Sequence, residues 1–349
     1  MSDPDYPSVL HLSDPALTAT LLAREAERTG RRWQVLPLAT APTAGGAARQ
    51  KGLRALRGLR WEAELAARRV GSRRVHVHSA LARRHAGWAF GRRFALHLHG
   101  TDIRTRQYEE RHRDLVRGTV RDAHVVFYST PDLREHVAPW RQDARLVPVP
   151  VPVPPLRLRA GELPAAVRSV TGGRDYLFFS SRWEEVKGGA AQIALARALS
   201  GATTAPSAPV LLGLDWGPLA AEAAAAGVQL VPKMPHAQFR ATVAGARLCL
   251  GQLSGVLGAS ELDVLASDVP LAAPLNPLWY DGSHPSLRVP PVVGGVDLGV
   301  CGGADDLVDL VLEELASPSP RSSRDWVLEH HSPEAALTSV LTGYRDSGW

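Results

Sequence analysis

Four short stretches of this chain place together side chains that can bind or polarise an oxyanion, a sugar or a metal. The first is Phe94-Ala95-Leu96-His97-Leu98-His99-Gly100-Thr101-Asp102-Ile103-Arg104. An apolar run ends in His99, and Gly100 permits a tight turn before Asp102 and Arg104. A polar cluster where a strand passes into a helix can hold a polar substrate on a rigid scaffold. The same residues have an ordinary reading, with Thr101 or Asp102 capping the helix and His99 satisfied at the strand end.

The second stretch is Phe178-Phe179-Ser180-Ser181-Arg182-Trp183-Glu184-Glu185-Val186-Lys187-Gly188-Gly189. Arg182 ends a strand and Lys187 opens the next helix, so two cations at a helix N-terminus suit a dianionic diphosphate. Glu184 and Glu185 could equally neutralise them as a solvated group. In the third, Gly255-Val256-Leu257-Gly258-Ala259 forms a turn leading into a helix, exposing backbone N–H groups to phosphate or sugar oxygens. Glu261 and Asp263 are the carboxylates that could take a ribose diol, although Asp263 also suits a solvent-facing helical position. In the fourth, His76-Val77-His78 repeats the spacing of His97-Leu98-His99. Residues two apart on a strand share a face, so each pair could chelate a metal. No suitably spaced carboxylate or cysteine completes either set, and strand-end polar residues explain them better.

These groups need elements to position them. Apolar runs at 9–12, 33–38, 74–78, 94–99, 124–128 and 145–149 read as strands, with amphipathic stretches at 47–69 and 105–121 between them. Asp14 is placed to cap a helix with Pro15 at its first position and Gly30 at its end. The alternating prolines of residues 147–155 interrupt the pattern and predict a stiff linker. Strand patterns resume at 176–180, 210–212, 228–231, 248–250 and 269–272. Helices are expected at 188–199, 218–226, 236–244, 260–266 and 305–315. Repeated strand–helix units imply α/β domains with parallel sheets. The expected divisions are 1–153 and 154–322, with 323–349 as a closing segment. The ligand is expected between the two domains, at the carboxyl ends of the sheets.

Composition narrows the function further. A chain of 349 residues suffices for two buried cores. Two cysteines exclude a disulfide scaffold or a cysteine-built zinc module. No apolar run is long enough to span a membrane, and the start lacks the pattern of a signal peptide, so a cytoplasmic location is expected. Residues 1–150 carry 26 Lys+Arg against 15 Asp+Glu, a net +11, whereas 151–349 carry 14 against 20, a net −6. Different partners for the two halves are implied. No aromatic-basic motif supports nucleic-acid binding. No two glycines are separated by a single residue, no lysine follows a glycine, and no Gly-x-Ser-x-Gly occurs. The dinucleotide fingerprint, the P-loop and the nucleophile elbow are therefore absent.

Taken in order along the chain, these segments resemble the GT-B glycosyltransferases of family 4, the retaining group-1 type. Residues 75–79 followed by His99-Gly100-Thr101-Asp102 resemble that family's strand and HG-x-D turn. Arg182 with Lys187-Gly188 resembles its R-x4-KG motif, and Leu265-Ala266-Ser267-Asp268-Val269-Pro270 its "EALASGVP" helix exit. The tail, from Arg324-Asp325-Trp326-Val327 through Tyr344, is similar to closing helices that cross back to the amino-terminal domain. The resemblance implies two Rossmann-like domains facing a cleft, a nucleoside-diphosphate sugar as donor and a hydroxyl-bearing acceptor. It also implies retention of configuration by front-face attack, with no metal and no cofactor. His99 would contact the donor sugar, and Arg182 and Lys187 would bind the diphosphate and stabilise the leaving group. Asp102 would belong to the donor-binding set. Gly255, Val256, Leu257, Gly258 and Ala259 would supply backbone donors, and Asp263 would bind the ribose.

The chain departs from that family in two places. Gly255 stands where the E-x7-E motif has its first glutamate, and Asp263 stands at the second. An altered sugar contact, a contact relocated to Glu261, or lost activity would each follow. Ser13-Asp14-Pro15 replaces the glycine pair of the acceptor-side loop. A nucleotide-sugar 2-epimerase and a non-catalytic sugar-nucleotide-binding protein are the competing readings. Within residues 49–69, Arg49, Lys51, Arg54, Arg57, Arg60, Arg68 and Arg69 accompany Leu53, Leu56, Leu59 and Trp61. That pattern can dock peripherally on an anionic membrane, or form a solvated helix face.

Overall fold

The computed structural model describes residues 8–38, 47–91, 93–152, 163–202, 205, 208–298 and 304–349, without the side chains of 47–54. Arg49, Lys51, Leu53 and Arg54 therefore lie outside the described side chains. Cys301 and positions 153–155 of the proline segment lie outside the described residues. The chain divides into two compact units, Met1–Pro150 with Pro333–Trp349, and Val151–Ser332.

The first unit runs β1 (Ser8–Leu12), α1 (Thr18–Arg28), β2 (Arg32–Leu36), α2 (Ala47–Val70), β3 (Arg74–Val77), α3 (Arg83–Phe90) and β4 (Phe94–Leu98). It continues through α4 (Glu110–Asp122), β5 (Val125–Tyr128), α5 (Leu133–Val137) and β6 (Arg145–Leu146). Its parallel sheet has the order β2-β1-β3-β4-β5-β6. Helices cover both faces, so the central strands are buried on both sides. Leu10, Leu12, Val75, Val77, Leu96 and Leu98 pack toward residues of α2 to α5. Val9, Ala95, Val125 and Phe127 pack toward α1 and a terminal helix at Pro333–Asp346.

The second unit runs α6 (Ala165–Thr171), β7 (Tyr176–Phe179), α7 (Gly189–Ala202), β8 (Val210–Asp215), α8 (Ala220–Ala225), β9 (Gln229–Pro232) and α9 (His236–Ala244). Then follow β10 (Leu248–Leu250), α10 (Ala259–Ala266), β11 (Leu271–Pro274), β12 (Val293–Gly294), α11 (Gly295–Leu298), α12 (Ala304–Ala316) and α13 (Ser323–His330). The terminal helix of the first unit is α14. The second sheet is also parallel, in the order β12-β11-β10-β7-β8-β9. The core centres on Leu177, Phe179, Leu248 and Leu250, packed with Ile193 and Leu199 of α7 and Val311 of α12.

Several elements differ from the sequence reading. The first helix begins at Thr18 rather than Pro15, because Ala16 (φ 51) and Leu17 (φ 60) are left-handed. Asp14 still serves the helix N-terminus, accepting from Thr20 N at 3.1 Å and from Thr20 Oγ1 at 2.6 Å. The expected helix at 105–121 begins only at Glu110, after a π-turn over Thr101–Thr105 and a tighter turn at Arg106–Tyr108. Of the closing segment, α14 belongs to the first unit, while α13 stays with the second. There the Arg324 guanidinium donates to Ala266 O at 3.3 Å. Helix α3 escaped the periodicity because its buried face is largely alanine, Ala86 and Ala89.

Candidate functional site

Each sheet reverses its strand order at one place, and loops at such a reversal leave a crevice outside the strand carboxyl ends. In the second unit the reversal lies between β7 and β10. The loops leaving those two strands are Ser180–Gly188 and Gly251–Gly258, which the sequence singled out. They meet backbone to backbone. Leu253 N donates to Lys187 O at 3.0 Å, and a Cβ on Gly188 would fall 2.6 Å from Leu253 O. Gly188 is left-handed, at φ 72. Only glycine meets both demands without strain. The turn carries Lys187 to the start of α10, with Nζ 3.6 Å from where a Cβ on Gly258 would sit.

Glu261, buried, organises this loop pair from within. Its Oε1 accepts from Ser181 Oγ at 2.6 Å and Gln252 N at 3.1 Å, and its Oε2 from Gly258 N at 2.9 Å. The last contact is the return half of a capping box at the N-terminus of α10. Leu257 N donates to the Tyr280 hydroxyl at 2.8 Å, and Gln252 Nε2 donates to Val256 O. Ala259 is the first residue of α10. Gly255 bridges to Leu275 and is left-handed at φ 79, so a glutamate there would cost about 1–2 kcal/mol of backbone strain.

Asp263 is not a solvent-facing helical residue; it is buried. Its Oδ2 lies 2.7 Å from His236 Nε2 and its Oδ1 lies 3.9 Å from Arg240 Nε, both on α9. Arg182 pairs with Glu184, as the solvated-pair reading anticipated, and its guanidinium also lies 5.1 Å from the Trp216 ring centre. The Lys233 ammonium lies 4.1 Å from the same ring. Trp216 and Lys233 follow β8 and β9, so one aromatic and two cations share the carboxyl edge of three adjacent strands.

In the first unit the reversal lies between β1 and β3. Ser13 there has φ 72, the left-handed backbone that glycine adopts freely, and Ser13 N donates to Leu36 O at 3.0 Å. The loop thus keeps a glycine-like path without glycine. Asp102 is buried and accepts from Ala80 N at 2.9 Å and Ile103 N at 3.0 Å, and burial raises its carboxyl above the usual range. It ties the loop after β4 to the one after β3 rather than capping a helix. Arg104 turns to Asp132, with Nε 2.7 Å from Oδ2.

His99 is half-buried and sits in a ladder of imidazoles. His11 Nδ1 lies 2.8 Å from His78 Nε2, and His78 Nδ1 lies 3.0 Å from His99 Nε2. Ser129 Oγ bridges His99 Nδ1 at 2.9 Å and His97 Nε2 at 3.1 Å. Burial pulls His11 and His99 down to about 3, and His76, His78 and His97 well below the ordinary value. Mutual repulsion of the charged forms adds to burial for the last three. All five rings are therefore neutral at physiological pH.

From sequence alone, Ser181, Gln252, Tyr280, Trp216, Ser129 and Tyr344 receive no role of their own. Trp216 and Ser129 carried a usable signal, since each directly follows a strand. Tyr280 and Tyr344 are far along the chain from what they touch and carried none.

No family model matches the sequence, and no curated protein matches it. Solved structures do. HepE from Anabaena, in complex with UDP and glucose, superposes with a TM-score of 0.64 at 10% identity, over 98% of this chain and 100% of that one. A UDP-forming α,α-trehalose-phosphate synthase from Burkholderia xenovorans gives 0.62 at 12% identity, over 99% and 100%. A protein from Listeria monocytogenes assigned as a UDP-N-acetylglucosamine 2-epimerase gives 0.55 at 14% identity, over 98% and 96%. At these identities the likeness is one of fold. The chain is a two-unit α/β protein with the architecture of the GT-B glycosyltransferases.

Proposed function

We propose that the protein is a retaining glycosyltransferase of the family-4 type, moving a sugar from a nucleoside diphosphate to a hydroxyl-bearing acceptor. The observation that carries this reading is the union of the two loops at the reversal of the second sheet. Gly188 docks on Leu253 and brings Lys187 against the N-terminus of α10. A cationic side chain beside helix-terminal N–H groups suits a diphosphate. Arg182 joins it from the end of β7.

During transfer the bond from the anomeric carbon to the β-phosphate oxygen breaks, and the acceptor oxygen bonds to that carbon from the same face. The acceptor proton passes to the departing phosphate oxygen. Arg182 and Lys187 stabilise the charge that grows on the diphosphate, so transfer there needs no metal. His99, neutral and held by His78 and Ser129, contacts the donor sugar through a ring whose orientation is set. Asp263 takes the ribose, with its place fixed by His236. Glu261 holds the loop rather than the sugar, because three protein donors already occupy it. The Ser13–Asp14 loop belongs to the acceptor side. Among the described residues no helix is long and apolar enough to cross a membrane.

A second reading, a nucleotide-sugar 2-epimerase, has the Listeria fold neighbour in its favour. A thermal-shift panel of UDP, GDP, ADP and dTDP sugars tests donor binding, and product analysis with and without acceptors separates the readings. Arg182→Ala or Lys187→Ala is expected to lower transfer about a hundredfold or more. Epimerised donor formed without an acceptor would favour the second reading. Stabilisation by no nucleotide sugar would overturn both.

A further inference from the structure

The imidazole ladder is larger than any contact to a donor sugar requires. Parallel pairing sets His11 beside His76, and the His-x-His spacing of β3 and β4 brings His78, His97 and His99 to the same face. This is the face covered by α1 and α14. Neighbouring rings lie close: His76 to His78 at 4.5 Å between centres, His97 to His99 at 4.4 Å, and His11 to His76 at 4.8 Å.

Nitrogen accounting shows what the ladder lacks. His11 Nε2, His76 Nε2 and His97 Nδ1 are buried with no hydrogen-bond partner among the described residues. A neutral imidazole has one N–H and one lone pair. If His11 donates through Nδ1 to His78, and His76 through Nδ1 to the Tyr344 hydroxyl 2.5 Å away, both Nε2 atoms are bare lone pairs. One ring nitrogen from each of His11, His76 and His78 lies within 4.8 Å of the others. Neutral imidazole is the ligating form. A donor set of nitrogen alone suits zinc, cobalt, nickel or copper and does not suit magnesium or calcium.

We propose that His11, His76 and His78 form a binding site for one divalent transition-metal ion of the zinc, cobalt, nickel and copper class. His11 and His76 ligate through Nε2, and His78 exchanges one of its two hydrogen bonds for the metal. Tyr344, on α14, holds His76 through its other nitrogen, the outer contact that orients a ligating histidine. The metal thereby links the terminal helix to β1 and β3. None of its ligands is a diphosphate-binding residue, and it meets the proposed transfer chemistry only through the contact of His78 with His99, so the test reads metal binding itself rather than turnover.

The test uses tag-free, full-length protein stripped with a chelator, dialysed, and titrated with zinc or cobalt chloride. About one equivalent is expected to bind, with a rise in melting temperature and visible cobalt absorption of a low-coordinate site. His76→Gln and His78→Gln are expected to abolish tight binding, and Tyr344→Phe to weaken it about 10–100-fold. His97→Gln should retain the stoichiometry, because His97 lies outside the triad. Each variant is read only with a native circular dichroism spectrum. Should His78→Gln fail to fold, His11→Gln and Tyr344→Phe carry the test. Binding well below one equivalent, binding unchanged in His76→Gln, or loss in His97→Gln alone would overturn the site.

Discussion

Gly188 and Leu253 approach so closely that a Cβ on the glycine would lie 2.6 Å from the Leu253 carbonyl oxygen. Two loops 65 positions apart in sequence are thereby locked together at the point where the second sheet reverses its order. Gly188→Ala must combine a left-handed backbone with displacement of a main chain. The expected cost is about 2–5 kcal/mol, from about 1–2 for the conformation and about 1–3 for the forced shift. Thermal melting and nucleotide-sugar binding should both suffer. A variant that melts and binds like the parent would disprove the docking role.

Glu261 separates a structural role from a substrate role. Glu261→Gln keeps the shape but replaces one accepting oxygen with an NH2 facing donors, at an expected cost of about 1–3 kcal/mol in urea denaturation. Ser181→Ala should lose less, about 1 kcal/mol, because only one of the three donors goes. If Glu261→Gln left stability intact while turnover fell, the carboxylate would be acting on substrate instead.

The neutral histidines make the metal-free protein acid-labile. The folded pKa values are depressed, so below the ordinary value of 6.5 the unfolded chain binds more protons than the folded one. Their contribution to stability is full above pH 6.5 and falls as the pH drops toward 3. Each imidazole contributes a slope of about 1.4 kcal/mol per pH unit. Among the described residues the charged groups acting on these rings are the histidines themselves, and their other neighbours are Trp33, Phe127, Tyr344 and Ser129. Chelator-treated protein should therefore unfold cooperatively well above pH 3. His97→Phe, if it folds, should flatten the slope, and an unchanged acid midpoint would contradict the assignment.

Helix α2 divides by role along its length. Arg68 and Arg69 are occupied, Arg68 with Glu64 and Val35 O, and Arg69 with Ala89 O and Ser72 O. Leu56, Leu59, Arg57 and Arg60 are exposed. If this face docks on lipid, vesicles with anionic headgroups should sediment the protein at low salt and neutral vesicles should not. Leu56→Ser with Leu59→Ser should release it. Equal sedimentation with both vesicle types would leave the face a solvated one.

Much of the scaffold was legible because its signals are local. Alternating apolar runs and helical stretches locate eleven of the twelve strands among the described residues and both glycine turns within a few residues, since strand periodicity and turn chemistry act over short spans. The two-residue β12 carries no such pattern, and β6 shrinks to two residues. The left-handed run through Ser13, Ala16 and Leu17 was also invisible, because those residue types do not announce that backbone.

The sequence by itself determined the α/β alternation, the cations at 182 and 187, and the repeated His-x-His spacing. Each is a property of neighbours along the chain. Only the tertiary structure decided that Glu261 faces Ser181 and Gln252, and that Asp263 faces His236. The same is true of His11 and Tyr344, which complete a cluster for which β3 and β4 supply only pairs. Sheet order and register bring those partners together, and both depend on how distant strands pair and bury their faces, not on any one segment.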